Sequence, residues 1–155
     1  MLRVIVESPY AAPTPEGVEA NVAYARKAML DSLGRGEAPY ASHLLFPQVL
    51  DDADADQRKR GIEAGLLWGE AAAITAVYVD RGISTGMLLG VQAAAWRRTI
   101  EVRWIEGEIA PMDREFRPNN GPKQVAADFK AFVADVEAEM AETMAWVNRQ
   151  SRATR

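Results

Sequence analysis

The chain lacks cysteine altogether and has only one histidine among its 155 residues. The first absence excludes disulfide bonds, a thiol nucleophile and cysteine-ligated metal. A single histidine, His43, cannot form a histidine-based metal site by itself. Four aspartates between residues 51 and 56 could attract a divalent cation, but the segment lacks the glycine and distal glutamate of an EF-hand. A solvated helix cap is the favoured interpretation, and no metal or other cofactor is predicted.

Long apolar runs and an excess of positive charge are also missing. No apolar stretch approaches the roughly 20 residues of a membrane span, so no membrane association is predicted. The formal net charge is −4, which argues against broad nucleic-acid binding because that requires a basic surface. The N-terminal MLRVIVES forms a short strand and lacks the apolar core of a signal peptide. A cytoplasmic protein is therefore expected.

Hydrophobic patterning predicts strands and helices in strict alternation. Apolar or alternating runs predict four strands, at Leu2–Glu7, Pro39–Phe46, Ile74–Asp80 and Thr99–Ile105. Apolar residues three and four apart predict four helices, at about Glu16–Leu33, Ala55–Ala73, Ser84–Trp96 and Lys123–Gln150. This order favours an α/β fold: a small Rossmann-like (flavodoxin-like), mostly parallel sheet of four or five strands, helices on both faces and a long C-terminal helix. The fourth strand is expected at an edge.

The chain is expected to divide near residue 106. Residues 1–106 would form a Rossmann-like domain for a nucleotide-like ligand. Residues 107–155 would form a polar loop and the long helix, which exceeds what so small a sheet needs for cover. We expect this helix to pack on another subunit, making the protein a homo-oligomer. In the second helix, Gly61, Gly65 and Gly69 recur every four residues, which favours close packing over a direct approach to a ligand.

The segment Ala76–Trp96 predicts a buried strand, a turn and a helix that opens on small residues. Its turn, Gly82-Ile83-Ser84-Thr85-Gly86, offers hydroxyls, room for close backbone approach and free N–H groups at a helix start. These features suit a phosphate or a ribose, so Gly82, Ser84, Thr85 and Gly86 are predicted ligand-binding residues. The alternative is that Ser84 only caps the helix and the glycines only turn the chain.

Polar residues also follow the other predicted parallel strands. Asp80 ends the third strand and Glu7 the first, followed by Ser8 and Tyr10, while His43 lies late in the second. Ser8, Tyr10 and His43 are predicted ligand-binding residues. Carboxyl ends of parallel strands share one edge, where open α/β sheets bind ligands. Glu7 and Asp80 are predicted catalytic residues, because two close carboxylates raise one pKa and create an acid. Alternatively, Asp80 caps a turn, Glu7 is a surface residue and His43 is structural.

The segments VIVESPYA, ASHLLFP and VYVDRGISTGM, with Asn21 in the helix between the first two, resemble the nucleoside 2-deoxyribosyltransferase-like superfamily. The resemblance covers residues 2–105 and is closest to small phage and bacterial members without an assigned function. It implies that the loop after the first strand, with Ser8 and Tyr10, holds the base and sugar. It also implies a catalytic glutamate in a G-M-x-x-E pattern on the helix after the third strand. Gly86 and Met87 match this pattern, which adds Met87 to the ligand-binding residues, but Gly90 stands at the glutamate position.

The sequence therefore predicts a nucleoside- or nucleotide-like ligand at the Ser84–Gly86 turn. Hydrolysis or transfer of an N-glycosidic bond is expected only if Glu7 or Asp80 supplies the missing carboxylate. The alternative is a non-catalytic nucleotide-binding protein, such as a sensor or a phage-encoded sequestering protein.

Overall fold

A five-stranded sheet and five α-helices make up the computed structural model, which describes residues 1–108 and 110–153. The strands are β1 (Arg3–Glu7), β2 (Ala38–Tyr40), β3 (Ile74–Tyr78), β4 (Thr99–Trp104) and β5 (Met112–Phe116). The helices are α1 (Pro15–Gly34), α2 (Ser42–Leu45), α3 (Ala55–Gly69), α4 (Thr85–Ala94) and α5 (Val125–Ala153). The predicted α/β class with a mostly parallel sheet and a long C-terminal helix is confirmed.

The strand order β2-β1-β3-β4-β5 creates a crevice at one edge of the sheet. The first four strands are parallel, and β5 runs antiparallel to β4. From β1 the chain moves outward to β2, then crosses back over β1 to reach β3 and continues the other way. The order therefore reverses between β1 and β3, and ligands bind outside the carboxyl ends of the strands at such a point.

The two faces of β1 serve different purposes. Val4 and Val6 are buried against α1, in one of two core clusters. Ile5 and Glu7 point to the opposite face, where they approach α3 and α4 at Gly69 and Gly90. Because side chains alternate along a strand, the last residue of β1 reaches the α4 side just below the crevice.

The glycines of α3 bring this helix unusually close to its neighbours. Gly61, Gly65 and Gly69 are its only fully buried residues among those described. A Cβ at Gly65 would lie 2.8 Å from Ser42 on α2, and one at Gly69 would lie 2.8 Å from Nη2 of Arg98. The structure thus confirms close packing as the role of this glycine row.

The large apolar side chains of α3 do not all lie on its packed face, contrary to what the apolar residues Ile62, Leu66, Leu67 and Trp68 would predict. Ile62 and Leu66 are half-buried, but Leu67 and Trp68 are 67% and 60% exposed. The glycine face takes the packed side of the helix, so these two large side chains are turned toward solvent.

Three further sequence-based expectations need correction. The second strand is only Ala38–Tyr40, since residues 42–45 form helix α2 and Pro47 follows in a 3₁₀ turn. The fourth strand is not at an edge, because β5 pairs along it. β5, with the sequence MDREF, is a charged edge strand of the kind that natural sheets use to discourage edge pairing; its polarity made it look like loop.

The predicted boundary near residue 106 falls inside this single sheet. β5 extends the sheet beyond that point, and the first half of α5 buries Val125, Phe129 and Val133 in the same core as β3, β4 and α4. Beyond Val136 the described residues of α5 are exposed, apart from the half-buried Met140 and Met144. No helix within residues 1–108 and 110–153 combines the length and apolarity needed to cross a bilayer.

The α1 face carries a buried ion cluster that ties distant strands together. Arg103 on β4 is fully buried and donates hydrogen bonds of 2.7 and 2.8 Å to the two carboxylate oxygens of Glu37. It also pairs with Glu101 and donates to the hydroxyl of Tyr78 at 3.0 Å. Every charge in this cluster has a partner, so it is explained by the packing of the fold.

We predict that Gly65→Ala destabilises the protein by roughly 1–3 kcal/mol in urea unfolding, because the added methyl would overlap Ser42. Gly34→Ala is the matched control, since no atom lies within 4 Å of a Cβ at the end of α1; its stability should be unchanged or slightly higher. Equal stability of the two variants would show that the packing of α3 against α2 does not require glycine at position 65.

Candidate functional site

A cavity of about 290 Å³ opens at the carboxyl edge of the sheet, in the crevice between β1 and β3. Its polar wall contains Glu7, Ser8 and His43. Its apolar wall, from the 3₁₀ turn and α3, contains Phe46, Pro47, Leu50, Ile62 and Leu66. The N-terminus of α4 closes a third side. Cavities with one apolar wall and a few convergent polar groups are typical of small-molecule sites.

Glu7 is the carboxylic acid of this cavity, and α4 is built around it. A Cβ at position 90 would overlap Oε1 and Cδ of Glu7 and would lie 3.1 Å from its Cγ. The carboxyl group therefore rests directly on the bare backbone of α4. Removal from water raises the pKa of Glu7 from 4.5 to about 8, and the nearby charge of Arg98 only partly opposes this shift.

His43 and Ser8 form a hydrogen-bonded pair beside Glu7. The 2.8 Å contact joins Ser8 Oγ to His43 Nε2, and Ser8 is buried. Helix α2 brings the imidazole here, so His43 reaches the cavity from a helical turn and not from a strand as predicted. Desolvation lowers the pKa of His43 from 6.5 to about 4, so the imidazole is neutral at physiological pH.

Burial moves the two pKa values in opposite directions. Between about pH 4 and pH 8, the Glu7 carboxyl is protonated and the His43 imidazole is neutral. Pairs of groups whose environments separate their pKa values in this way serve as acid and base in known catalytic sites. The cavity wall thus contains a protonated group, Glu7, and an unprotonated one, His43, which is hydrogen-bonded to Ser8.

The N-terminus of α4 lies where the sequence predicts it. Ser84 is the N-cap, and its hydroxyl accepts a hydrogen bond of 3.3 Å from the Met87 backbone N–H. Ser84, Thr85, Gly86 and Met87 all line the cavity. The capping bond already uses one acceptor position of the Ser84 hydroxyl, which agrees with the alternative interpretation of this residue. Contact of these four residues with a ligand stays a prediction.

Asp80 and Gly82 do not line the cavity as the structure describes it. The Asp80 carboxylate accepts a hydrogen bond from the Tyr24 hydroxyl and bonds of 3.0 and 2.9 Å from the backbone N–H groups of Ile105 and Glu106. Gly82 adopts a φ of +84° and closes a turn through a 2.8 Å bond to the Val79 carbonyl. Asp80 thus ties the end of β3 to the end of β4, and Gly82 turns the chain after β3. Asp80 therefore has no part in the proposed chemistry.

The rim of the cavity contains groups that sequence reasoning missed. Asp52, from the loop before α3, forms an ion pair with Arg58, and both line the cavity. Tyr10 lines it as predicted, in a loop held by a 3.1 Å hydrogen bond from the Asn21 side chain to the Tyr10 carbonyl. The described residues contain no group of three or more acidic or histidine side chains suited to a metal ion.

Residues 2–105 match a family model described as a domain of unknown function (DUF7768). The chain belongs to this family. No curated protein matches the chain. A solved structure that resembles it is a 2-deoxyribosyltransferase from the psychrotolerant bacterium Bacillus psychrosaccharolyticus, which is 17% identical, with a TM-score of 0.49. The match covers 69% of this chain and 75% of that one. So distant a similarity says nothing about the ligand or the reaction of this DUF7768 protein.

The raised pKa of Glu7 predicts a pH-dependent stability. Its stabilising effect is complete below pH 4.5, where both folded and unfolded chains are protonated, and is lost as the pH rises to about 8. Glu7→Gln should therefore stay within about 1 kcal/mol of the wild type in urea unfolding near pH 5 and exceed it by about 3–5 kcal/mol at pH 9. His43 acts in the opposite sense, losing its contribution as the pH falls from 6.5 to 4, and both proteins retain it.

Glu63→Gln serves as the control. Glu63 is exposed on α3 and forms one long ion pair, of 3.8 Å, with Lys59. Its stability relative to the wild type should not change between pH 5 and pH 9. If Glu7→Gln behaves like this control, Glu7 is not a desolvated acid.

Proposed function

We propose that this protein binds a nucleoside-like ligand in the cavity and cleaves its N-glycosidic bond, with Glu7 as the proton donor and His43 as the base. The observation that carries the proposal is the position of the Glu7 carboxyl, which lies against the backbone of Gly90 in the same cavity as the hydrogen-bonded Ser8–His43 pair. The raised pKa of Glu7 fits this placement. A planar base would lie against Phe46, Leu50 and the α3 side chains, while the sugar would face the polar wall.

In the proposed reaction, the bond between the anomeric carbon and the base nitrogen breaks, and its electron pair goes to the nitrogen. Glu7 donates its proton to the departing base and becomes a carboxylate. A water molecule adds its oxygen to the anomeric carbon and gives a proton to His43, directly or through the Ser8 hydroxyl. Transfer of that proton from His43 back to Glu7, through solvent, restores both groups.

The sequence resemblance supports the same reaction class through an unexpected residue. The related pattern G-M-x-x-E puts a glutamate on the helix after the third strand, at the position that Gly90 occupies here. The Glu7 carboxyl fills the space next to that position from the strand side. The proposed chemistry therefore needs no carboxylate on α4, but it uses protonation of the base in place of a covalent nucleophile.

We predict that Glu7→Gln lowers base release by about 10²–10⁴-fold, since general acid catalysis contributes on that scale. Release of free base from a panel of ribo- and deoxyribonucleosides and their phosphates would be followed by chromatography. The wild-type rate should be bell-shaped in pH, with limits near 4 and 8. His43→Gln should remove the acidic limit and most of the activity, and Glu63→Gln should change neither.

The absence of a carboxylate on α4 favours a second candidate, a protein that binds such a ligand without cleaving it. It predicts that one member of the panel raises the melting temperature of the wild type and of Glu7→Gln alike, with no base released. Failure of every compound both to react and to stabilise the fold would contradict both candidates.

We also propose that the exposed second half of α5 pairs with a second copy of the chain. The apolar stripe that is buried at Val133 and Val136 continues through Met140, Met144 and Val147. Trp146 beside it is 57% exposed. An apolar stripe that outlasts its own core is typical of subunit packing.

Met144→Glu with Val147→Asp should reduce the molar mass measured by light scattering to that of one chain, because charges would enter the stripe. Ala138→Glu, on the opposite side of the helix, is the control and should leave the assembly intact. A wild-type protein that is already monomeric would contradict the proposal.

A further inference from the structure

Arg98 lies beneath the cavity in a position fixed from two sides. It follows α4, where Trp96 takes a φ of 57°, a left-handed conformation that is rare for a bulky residue, and turns the chain back toward the sheet. The Arg98 guanidinium donates a 2.7 Å hydrogen bond from Nε to the hydroxyl of the buried Thr75. Its Nη2 lies so near the backbone of α3 that a Cβ at Gly69 would be only 2.8 Å away.

The sheet register brings this guanidinium onto the same face as Glu7. Ile5 pairs with Thr75 and Glu7 with Val77, so Thr75 and Glu7 are diagonal neighbours on the face covered by α3 and α4. Side chains in such diagonal positions are within reach of long residues. Arg98 is hydrogen-bonded to Thr75, and its positive charge lowers the pKa of Glu7.

We propose that Arg98 is the fixed countercharge of Glu7: it stabilises the carboxylate that Glu7 becomes once it has donated its proton. Because the Glu7 carboxyl lies against α4, water does not stabilise its negative charge. A carboxylate without a countercharge there would be reprotonated. A guanidinium held in place before the reaction needs no rearrangement when the negative charge develops. Arg98 is therefore a positioning residue, acting on the acid and not on the ligand.

The other charged groups around Glu7 do not fill this role. His43 on α2 is neutral across the working pH range. Arg58 on α3 is neutralised by its ion pair with Asp52. Arg97 is exposed and points to Glu70, 3.9 Å away. Helix α4 itself contains no charged residue, so Arg98 is the cation left to act on Glu7 within the described residues.

The direct test is the titration of the Glu7 carboxyl carbon by NMR in the wild type and in three variants. Arg98→Gln removes the charge and keeps a hydrogen-bonding side chain, and it should raise the pKa of Glu7 by about one unit or more. Arg98→Lys should restore most of the wild-type value. Arg97→Gln, the matched control, removes a neighbouring exposed cation and should leave the Glu7 titration unchanged.

Gly69→Ala gives an independent variant in case Arg98→Gln folds poorly. The added methyl would displace the guanidinium without removing its charge, and the Glu7 pKa should again rise. If Glu7 titrates at the same pH in Arg98→Gln, Gly69→Ala and Arg97→Gln, Arg98 is not its countercharge.

The kinetic part of this inference rests on the proposed function, whereas the titration does not. With a reactive nucleoside, Arg98→Gln should move the alkaline limit of the rate profile upward and lower kcat at least tenfold at pH 7, with KM little changed. A shifted Glu7 titration without any base release would uphold the countercharge and reject the reaction. Base release with an unshifted Glu7 titration would uphold the reaction and reject the countercharge.

Discussion

The contact between the Glu7 carboxyl and the bare backbone of α4 at Gly90 determines the character of the cavity. Any side chain at position 90 would occupy the space that the carboxyl fills. Glycine lowers the helix propensity there by up to about 1 kcal/mol relative to alanine, and burying an ionisable group costs more. Local destabilisation of this kind concentrates at functional sites, where selection is for chemistry and not for stability.

The same desolvation acts on two groups of opposite type, and this links the fold to the proposed chemistry. Burial disfavours whichever form is charged, so it keeps the proton on Glu7 and keeps it off His43. Strand β1 supplies the acid, helix α2 supplies the base, and Ser8 is hydrogen-bonded to the base. The bare faces of α3 and α4 let these elements approach closely. Arg98 is the cation proposed to stabilise the Glu7 carboxylate after it has donated its proton.

The sequence predicts the fold class well because hydrophobic periodicity reports which faces are buried. It fails where a segment is short or polar: β5 is a charged edge strand, and β2 ends after three residues. For the site, strand ends locate Glu7, Ser8 and the turn before α4. Neither the overlap of Glu7 with position 90 nor the contact of Arg98 with Gly69 has a sequence signal, since each joins elements distant in the chain. Asp80 shows the converse, an acid at the right strand edge whose hydrogen bonds point elsewhere.

The proposed chemistry requires that the cavity contain a protonated acid and an unprotonated base at the same pH. Because His43 is the only histidine, its ring gives one set of NMR signals, and the Glu7 carboxyl can be followed in the same sample by carbon labelling. We expect the ring to titrate near pH 4 and the carboxyl near pH 8. A carboxyl that titrates near 4.5 together with a ring that titrates near 6.5 would contradict this expectation.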